Sequence, residues 1–512
     1  MNFLQLLHGA EILAQSGNPG VSGIEYDSRR VKPGDVFVAM QGESSDGNKF
    51  IDKAIAAGAV AIVTDAANEK PRAGVAWAQV PHGRRALARL SANFYKRPAE
   101  RLAITGVTGT NGKSTTTFLV EAILAAAGRR SVLVGTIEYH VAGRILPAPH
   151  TTPEALELNR MLAEALGQGA TEAVMEVSSH ALAQQRVYGI PFDVAVFTNL
   201  TRDHLDYHHT MDAYFASKHV LFEGCGTEAP RTAVISTDNE YGPKLVQISR
   251  RRGSEVLTYG LTKGDFRAEK VEVTPRGTRF DLVTPDGTIP LFSPLIGQVN
   301  VYNILAAAGA VYARNCTPAT IAKGVATLAR VPGRFERVDC KQPFTVVVDY
   351  AHTDDALRNL TAQAREFGKQ AGQKGRVITV FGCGGDRDRA KRPLMGEAAG
   401  RGSDCVVLTS DNPRSEDPLA IINDAMVGLQ RSGAKYKIEP NRRAAITLAI
   451  HRAAPGDIVL IAGKGHEKVQ VTRAGSIPFD DEHNVSRSRS VNGQSNCCSP
   501  IWLYLVFSPG AL

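Results

Sequence analysis

The sequence of 512 residues lacks several features that would assign it to a class at once. Its seven cysteines form no C-x-x-C pair, which argues against a disulfide framework and against a zinc ribbon. No stretch approaches the roughly 18 apolar residues of a membrane-spanning helix, and the first twenty residues have no basic region typical of a secretion signal. We therefore expect a cytoplasmic protein with reduced thiols and no membrane partner.

Charge of one sign is not concentrated in any part of the chain. Lys and Arg number 59 against 51 Asp and Glu, a formal net charge of +8 without blocks of like charge. Nucleic acid is therefore not an expected partner, whereas small anionic molecules are. Hydrophobic residues at 43% and charged residues at 21% are ordinary globular values, which excludes wholesale disorder and a coiled-coil rod.

The order of apolar runs predicts an α/β protein of about three domains. Residues 20–98 place the Ala-rich helical segment FIDKAIAAG between the extended runs DVFVAM and AVAIVT. From residue 101 to about 330, strands alternate with helices, which indicates a parallel sheet with crossover helices. The runs FTVVVDYAH, RVITVFGCGG, CVVLTS and DIVLIAGKG follow, and each ends in a Gly-, Asp- or His-bearing loop. Ligands bind at the carboxyl ends of such strands, so all four loops are candidate sites.

These patterns predict domains at 1–100, 101–335 and 336–485. The remaining segment, 486–512, has no acidic residue, is rich in Ser and carries the isolated apolar heptad IWLYLVF. We expect this tail to be atypical and disordered.

The strongest local motif lies after the apolar run LAIT and before an amphipathic helix. It comprises Gly109, Thr110, Asn111, Gly112, Lys113, Ser114 and Thr115. Backbone N–H groups of such a loop cradle phosphates, the lysine reaches the β- and γ-phosphates, and the serine holds Mg²⁺. The segment is a P-loop variant that favours a nucleoside triphosphate; a dinucleotide fold is the weaker interpretation because G-x-G-x-x-G is absent.

Two further strand ends offer metal ligands. Glu176 follows an apolar run in AVMEVSSHAL, and FTNLTRDHLDYHHT provides His204 and His208. A strand-end Glu or a His-rich loop alone is usually a cap or a solvated turn. Because these residues follow strands of the same predicted sheet as the P-loop, a role for them in binding Mg²⁺ is the favoured interpretation.

The chain resembles the Mur ligase family, the ATP-dependent amide-bond formers of peptidoglycan synthesis, which also includes the folylpolyglutamate synthases. The motifs that carry the resemblance span residues 20–485 in family order: TGTNGKST, MEVSSHAL, TNLTRDHLDYH, YFASKHVLF, GQVNVYNILAA, PGRFE, VDYAHT, DNPRSE and GKGHE. The resemblance implies a central P-loop parallel sheet, a Rossmann-like C-terminal domain, ATP and Mg²⁺ as cofactors, and a monomer. It also implies an acyl-phosphate intermediate.

The resemblance further implies the site residues. Lys113, Glu176, His204 and Lys218 are the implied catalytic residues, with Mg²⁺ held by Ser114, Glu176, His204 and a carbamylated Lys218. The implied ATP-binding residues are the loop 109–115 together with Asn300, Asn303, Arg334, Asp349 and His352. The implied residues for a UDP-linked muramoyl dipeptide are Tyr26, Ser28, Glu43, Ser44, Ser45, Thr151, Thr152, Ser178, Gln184 and Arg186. Without the resemblance, Lys218 reads as a surface lysine, and Thr152-Pro153 as a helix start.

The motif DNPR resembles the diaminopimelate recognition motif of the family, so the resemblance implies meso-diaminopimelate as the amino-acid acceptor. The implied pocket consists of Arg387, Asp411, Asn412, Pro413, Arg414, Gly463 and Glu467. Diaminopimelate carries two carboxylates and two ammonium groups, which Arg and Glu side chains complement. A simple type I turn would explain the Asp, Asn and Pro of this motif but not the Arg.

The expected reaction therefore adds meso-diaminopimelate to UDP-N-acetylmuramoyl-L-alanyl-D-glutamate. Alternatives within the enzyme class are a lysine-adding or a folylpolyglutamate-type ligase. A P-loop motor or binding protein is a further alternative, which DNPR and GKGHE disfavour.

Overall fold

The structure is a computed structural model that describes residues 1–42, 45–372 and 374–490. It divides into two compact units, Met1–Pro332 and a second that begins at Gly333. The second unit thus begins three residues before the predicted boundary at 335/336. The domain bounds near residues 100 and 485 stay predictions.

The first part of unit 1 is a small α/β layer built on a mostly parallel sheet. Its elements are α1 (Phe3–Leu6), β1 (Ala14–Ser16), β2 (Gly23–Glu25), β3 (Asp35–Ala39), α2 (Ile51–Ala56), β4 (Ala61–Thr64), β5 (Ala76–Gln79) and α3 (Gly83–Phe94), with 3₁₀ turns at Gly47–Phe50 and Pro98–Arg101. The strand order is β1-β5-β4-β3-β2, with β1 antiparallel to its neighbour. The runs DVFVAM and AVAIVT form β3 and β4, as the alternation of apolar runs predicts.

The rest of unit 1 is organised around a larger sheet whose order is β13-β12-β11-β6-β10-β7-β8-β9. Its elements are β6 (Ala103–Thr108), α4 (Lys113–Ala126), β7 (Ser131–Val134), β8 (Glu138–Val141), β9 (Arg144–Pro147), α5 (Ala155–Gly167), β10 (Glu172–Glu176), α6 (Ser179–Ala183), β11 (Val194–Phe197), α7 (Leu205–His208), α8 (Met211–Glu223), β12 (Thr232–Ser236), α9 (Gly242–Arg251) and β13 (Glu255–Tyr259). An antiparallel sheet and two helices complete the unit: β14 (Arg267–Thr274), β15 (Gly277–Thr284), β16 (Gly287–Ser293), α10 (Gln298–Tyr312) and α11 (Pro318–Thr327). The pairs from β13 to β7 are parallel, so β6, β10 and β11 end at one edge.

Both faces of this sheet are buried, which explains the near-continuous apolar strands. Successive residues of β11 alternate between two hydrophobic cores: Val194 and Val196 belong to one, and Ala195 and Phe197 to the other. A parallel sheet covered on both faces has this pattern because neither face meets water.

Unit 2 contains a sheet of order β17-β18-β22-β19-β20-β21 and a separate hairpin, β23–β24. Its elements are β17 (Glu336–Arg337), β18 (Thr345–Asp349), α12 (Asp354–Gln370), β19 (Val377–Phe381), α13 (Lys391–Gly402), β20 (Cys405–Leu408), α14 (Pro418–Ser432), β21 (Tyr436–Ile438), α15 (Arg442–Arg452), β22 (Ile458–Ala462), β23 (Val469–Thr472), β24 (Gly475–Pro478) and α16 (Asp481–Ser490). The predicted β-rich runs form β18, β19, β20 and β22, and adjacent members of this set pair in parallel. The predicted α/β class with a parallel P-loop sheet is therefore confirmed.

The predicted tail boundary at residue 486 falls inside a helix. Helix α16 continues to Ser490, and residues 491–512, with the apolar heptad, lie outside the described residues. The expectation of disorder from residue 486 is wrong for its first five residues, because the helix is anchored in the core. Val485 and Ser488 are buried, and Asp481 pairs with the fully buried Arg442 of α15 at 2.7 Å.

No helix among the described residues is long and apolar enough to cross a membrane. Within the same residues the following cysteines carry no disulfide: Cys225, Cys316, Cys340, Cys383 and Cys405.

His140 attaches the β8–β9 hairpin to the P-loop helix α4. Its Nδ1 lies 2.8 Å from a carboxylate oxygen of Glu121, and its Nε2 lies 2.9 Å from Glu138. Burial lowers the pKa of the ring, but hydrogen bonds to the two carboxylates outweigh burial and raise that pKa to about 9. The imidazolium is therefore the form that donates both hydrogen bonds at neutral pH.

We predict a stability contribution from His140 that is lost at alkaline pH. The folded pKa is raised, so the contribution is fully present below the unfolded value of about 6.5 and disappears as pH rises through about 9. The difference in melting temperature between the wild type and His140→Phe should shrink between pH 6.5 and 9.5. The exposed His8→Gln variant is the control, and a difference for His140→Phe that is constant with pH would contradict the assignment.

Candidate functional site

The P-loop is shaped by two glycines that other residues could not replace. Gly109 and Gly112 both have positive φ, at 149° and 88°. A Cβ on Gly109 would lie 1.9 Å from Thr198 Oγ1, and one on Gly112 would lie 2.4 Å from Asn303 Oδ1. Only glycine permits these approaches. The structure thus brings Asn303, predicted to contact ATP, directly against the loop.

The loop differs in spacing from the plain P-loop motif. Gly106 lies six residues before Gly112, one more than in G-x-x-x-x-G-K-[ST], and belongs to β6 rather than to the turn. The tight turn therefore starts at Gly109, and Lys113 begins α4. Gly106 therefore has a strand role, and the ATP-binding role of the predicted loop 109–115 stays a prediction.

Two lysine amines converge on one carbonyl of this loop. Lys113 Nζ donates to the carbonyl oxygens of Gly109 at 3.0 Å and Thr110 at 2.9 Å. Lys218 Nζ donates to the same Gly109 oxygen at 2.8 Å. Lys218 is only 2% exposed, so the interpretation of Lys218 as a surface lysine is wrong. The resemblance, and not the helix pattern, places Lys218 in the site.

Burial of Lys218 favours its neutral amine. Desolvation, reinforced by the positive charge of Lys113, holds the pKa of Lys218 well below its ordinary value, and Asp203 opposes the shift. The amine also lies 4.6 Å from the centre of the Tyr214 ring. A neutral amine is the form that can react with carbon dioxide to give a carbamate.

Glu176 ends β10, beside the P-loop strand, with its carboxylate held in place. One oxygen accepts from the backbone N of Thr136 at 2.8 Å, and the other accepts from Thr136 Oγ1 at 2.9 Å. Glu176 is 1% exposed. His204 follows β11 with a positive φ of 53°, and its Nε2 lies 3.3 Å from Asp203.

The residues implied to hold Mg²⁺ fit that ion in chemistry. Ser114 and Glu176 supply oxygen donors, which Mg²⁺ prefers. No three His, Cys, Asp or Glu side chains among the described residues group closely enough to hold a metal by themselves. A site would therefore depend on Ser114 and on Lys218, whose neutral amine fits the anionic carbamate that the resemblance implies.

The residues predicted to bind the dipeptide end of the UDP substrate form one connected group next to Glu176. Thr152 Oγ1 donates to the Glu176 carbonyl at 2.8 Å and accepts from Ser178 N at 3.1 Å. Arg186 donates to Thr152 O at 2.9 Å and to Gln184 Oε1 at 2.6 Å. Thr151 Oγ1 accepts from Thr136 Oγ1 at 3.0 Å.

The sequence Thr152-Pro153 suggested that Thr152 caps a helix, but in the structure it does not. Helix α5 begins at Ala155 with Glu154 at its N-cap position. The Thr152 hydroxyl is already engaged with β10, so it is unavailable to the helix. Glu154 instead pairs with Arg186 at 3.0 Å and with Arg84 at 3.2 Å.

Among the residues predicted for the uridine end, Tyr26 and Ser28 follow β2, and Ser45 follows β3. Tyr26 Oη lies 3.2 Å from both carboxylate oxygens of Glu157 in α5. Burial raises the pKa of Tyr26, and Glu157 raises it further, so the phenol stays protonated. Ser28 is buried and the Ser45 carbonyl accepts from Gly42 N at 3.0 Å, whereas the predicted Glu43 and Ser44 lie outside the described residues.

In unit 2, Asp349 ends β18 with both carboxylate oxygens bonded to backbone. Asp349 Oδ2 accepts from Phe335 N at 2.6 Å, and Oδ1 accepts from Ala351 N at 2.8 Å. Burial raises the pKa of Asp349, and the Arg334 guanidinium lowers it in part. His352 Nδ1 lies 2.9 Å from the Tyr350 carbonyl. Arg334, Asp349 and His352 thus share one strand end.

The predicted acceptor residues also meet in unit 2. Arg414 Nη1 donates to Gly385 O at 2.7 Å, in the loop that carries Arg387. Burial lowers the pKa of Arg414, and the positive charge of Arg387 lowers it further. A Cβ on Gly384 would lie 3.0 Å from Arg414 Nη1 and 3.8 Å from Arg387 Cγ, so both side chains lie beside Gly384. Asn412 Nδ2 donates to Glu467 Oε2 at 2.8 Å.

The structure explains why residue 463 is a glycine, which the motif alone does not. Its φ is +116°, and a Cβ there would lie 2.6 Å from the Asp411 carboxylate. The strand end of β22 can therefore approach the DNPR loop closely only at a glycine.

Sequence reasoning missed several residues that support these groups. They are Thr136, Glu154, Glu157, Asp203, Tyr214 and Lys464. Asp203, Tyr214 and Lys464 stand inside the quoted motifs TNLTRDHLDYH, YFASKHVLF and GKGHE, so a closer reading of those motifs could have found all three. Tyr214 lies one helical turn before Lys218, and its hydroxyl lies 3.2 Å from Thr110 Oγ1.

Comparison with known proteins finds three family domains, which follow one another along the chain. Family models match residues 20–95 (Mur ligase family, catalytic domain), 107–311 (Mur ligase middle domain) and 333–465 (Mur ligase, glutamate ligase domain). A protein of Solibacter usitatus named UDP-N-acetylmuramoyl-L-alanyl-D-glutamate–2,6-diaminopimelate ligase is 54% identical over 90% of this chain and 92% of its own length. The chain belongs to the Mur ligase family.

Further matches agree with this membership. A protein of the same name from Geobacter metallireducens is 46% identical over 93% of this chain and 96% of its own length. A solved structure titled with that enzyme name matches with a TM-score of 0.66 and 34% identity, covering 97% of this chain and all of the other. The resemblance noted in the sequence is therefore confirmed, together with the three-domain Mur ligase fold. The roles of the individual site residues stay predictions.

We predict that Lys218 carries a carbamate in the active Mur ligase, because burial beside the loop lowers the pKa of its amine and favours the neutral, reactive form. With ¹³C-labelled bicarbonate, NMR should show a carbamate signal that Lys218→Ala lacks. That variant should lose most turnover while binding the UDP substrate nearly as well. Lys244, on the surface helix α9, gives the control Lys244→Ala. An unmodified Lys218 in the ATP-loaded enzyme would contradict the prediction.

Proposed function

We propose that this chain is an ATP-dependent amide ligase that adds meso-diaminopimelate to UDP-N-acetylmuramoyl-L-alanyl-D-glutamate. Membership of the Mur ligase family and the names of relatives at 54% and 46% identity support this proposal. The observation that carries the choice of acceptor is the cluster in unit 2. The side chains of Arg414 and Arg387 both lie beside Gly384, and Asn412 of the same DNPR motif donates to Glu467.

This cluster complements an acceptor that has charges of both signs. Repulsion between Arg414 and Arg387 is relieved when an anionic carboxylate binds between or beside them. Glu467 offers the opposite charge to an ammonium group. Lysine has only one carboxylate, so it would leave part of this positive charge unpaired.

ATP would bind at the loop 109–115, where backbone N–H groups and Lys113 face phosphate oxygens. Lys113 would exchange its bonds with the Gly109 and Thr110 carbonyls for phosphate contacts. Asn303 supports the loop at Gly112. Bound Mg²⁺, held by Ser114, Glu176, His204 and carbamylated Lys218, would neutralise phosphate charge.

The reaction needs no covalent nucleophile on the protein. A carboxylate oxygen of the dipeptide attacks the γ-phosphorus, and the bond from that phosphorus to ADP breaks. The neutral amine of diaminopimelate then attacks the carbonyl carbon of the acyl phosphate, loses a proton, and phosphate leaves with the bonding electron pair. Unit 1 would position the dipeptide through Thr152, Ser178 and Arg186, and unit 2 would position the acceptor amine.

We also propose that the protein works in the cytoplasm, where ATP and UDP-linked precursors are found. The monomeric state implied by the resemblance stays a prediction.

The proposal predicts that ADP release requires the UDP-linked dipeptide and diaminopimelate together. Diaminopimelate should be used about a hundredfold better than L-lysine, because lysine leaves the half-buried Arg414 without its carboxylate partner. Losing a bidentate pair of charge-assisted hydrogen bonds costs about 3 kcal/mol, and each 1.36 kcal/mol is about tenfold in rate. Arg414→Ala should raise the diaminopimelate KM and narrow the gap between the two acceptors, with the ATP KM little changed.

The control is Arg401→Ala, an exposed arginine of α13 in the same unit. Efficient use of lysine by the wild type would favour a lysine-adding enzyme. An unchanged acceptor ratio in Arg414→Ala would show that the DNPR loop does not bind the second carboxylate.

A further inference from the structure

Lys464 lies directly behind the acceptor cluster and is completely buried. Its relative exposure is 0%, in the turn that follows β22. Its Nζ lies 2.8 Å from Asn412 Oδ1, 3.0 Å from Glu467 Oε2 and 3.3 Å from Asp411 Oδ1. Each of these three partners belongs to the predicted acceptor pocket.

The geometry of these contacts fixes the orientation of the pocket side chains. The Lys464 ammonium donates hydrogen bonds to Asn412 Oδ1 and Glu467 Oε2, and it forms an ion pair with Asp411. Asn412 Oδ1 accepts both from Lys464 and from Val471 N at 2.9 Å, so the Asn412 amide must present its Nδ2 to Glu467. Lys464 therefore sets the amide orientation of Asn412 and holds the carboxylate of Glu467.

A second buried cation lies on the same side. Arg442 pairs with Asp481 and donates to the Ala462 carbonyl at 3.0 Å, at the end of β22. The Arg442–Asp481 pair is fully buried, and the charges of Asp411 and Glu467 also raise the pKa of Arg442. Lys464 and Arg442 therefore both stabilise the two carboxylates of the predicted pocket.

We propose that Lys464 is a positioning residue for the amino-acid acceptor, acting through Asp411, Asn412 and Glu467. The proposal rests on the proposed function for the identity of the acceptor. Lys464 has no exposed surface, so its effect on the acceptor passes through these three side chains. A purely structural lysine would instead affect stability without selective loss of acceptor binding.

The test replaces Lys464 by Met, which is also unbranched and only one atom shorter but carries no charge. We expect the diaminopimelate KM to rise about tenfold or more, the usual scale for a lost charge-assisted hydrogen bond, with the ATP and UDP-dipeptide KM values unchanged. Asp457→Asn is the matched control. Asp457 is a buried carboxylate at the opposite end of β22, where it pairs with Arg376 at 2.6 Å. The Asp457→Asn variant should have a lower melting temperature but unchanged KM values for all three substrates.

A second measurement does not depend on the acceptor. Hydrogen exchange in Lys464→Met should accelerate in residues 411–416 and 469–472, but not in β18 or β19. If Lys464→Met does not fold, Lys464→Gln retains amide donors without the charge and serves for both measurements. Unchanged diaminopimelate KM and unchanged exchange in a folded variant would overturn the proposal. If the wild type does not use diaminopimelate, the proposed function fails, and exchange still decides the role of Lys464.

Discussion

The close approach of the P-loop to its neighbouring strand end is the constraint on which unit 1 depends. Thr198, directly after β11, and Asn303, in α10, occupy the space that side chains on Gly109 and Gly112 would need. The loop is therefore fixed against the sheet edge where β6, β10 and β11 end. Glu176 and the Thr152 group reach the same edge because parallel strands finish there together.

Each unit buries a lysine amine beside its site, with different partners. Lys218 donates to the Gly109 carbonyl and lies over an aromatic ring, so burial favours its neutral form. Lys464 contacts the carboxylates of Asp411 and Glu467, which compensate its charge. The first environment suits covalent modification of the amine, and the second suits a fixed cation that orients anionic side chains.

Much of this arrangement could be predicted from sequence, because strand ends and glycine loops are local patterns. The parallel runs and the P-loop variant followed from apolar periodicity and motif spacing. The burial of Lys218 could not be predicted from the helix pattern, since helix α8 has no strong apolar face. Only the family resemblance indicated a role for that lysine. Thr152 was misread because its hydroxyl bonds across to β10, a contact between residues 24 positions apart. The helix through Ser490 was missed because a serine- and arginine-rich sequence gives no helix signal, while Asp481 and Val485 anchor it through tertiary contacts.

The central claim is that the substrate carboxylate itself is phosphorylated before the amide bond forms. The most direct measurement uses UDP-N-acetylmuramoyl-L-alanyl-D-glutamate labelled with ¹⁸O in the reacting carboxylate, with ATP and meso-diaminopimelate. The acyl-phosphate route places one carboxylate oxygen in each released phosphate, so mass spectrometry should find phosphate carrying one ¹⁸O. Product formation with unlabelled phosphate would contradict this account.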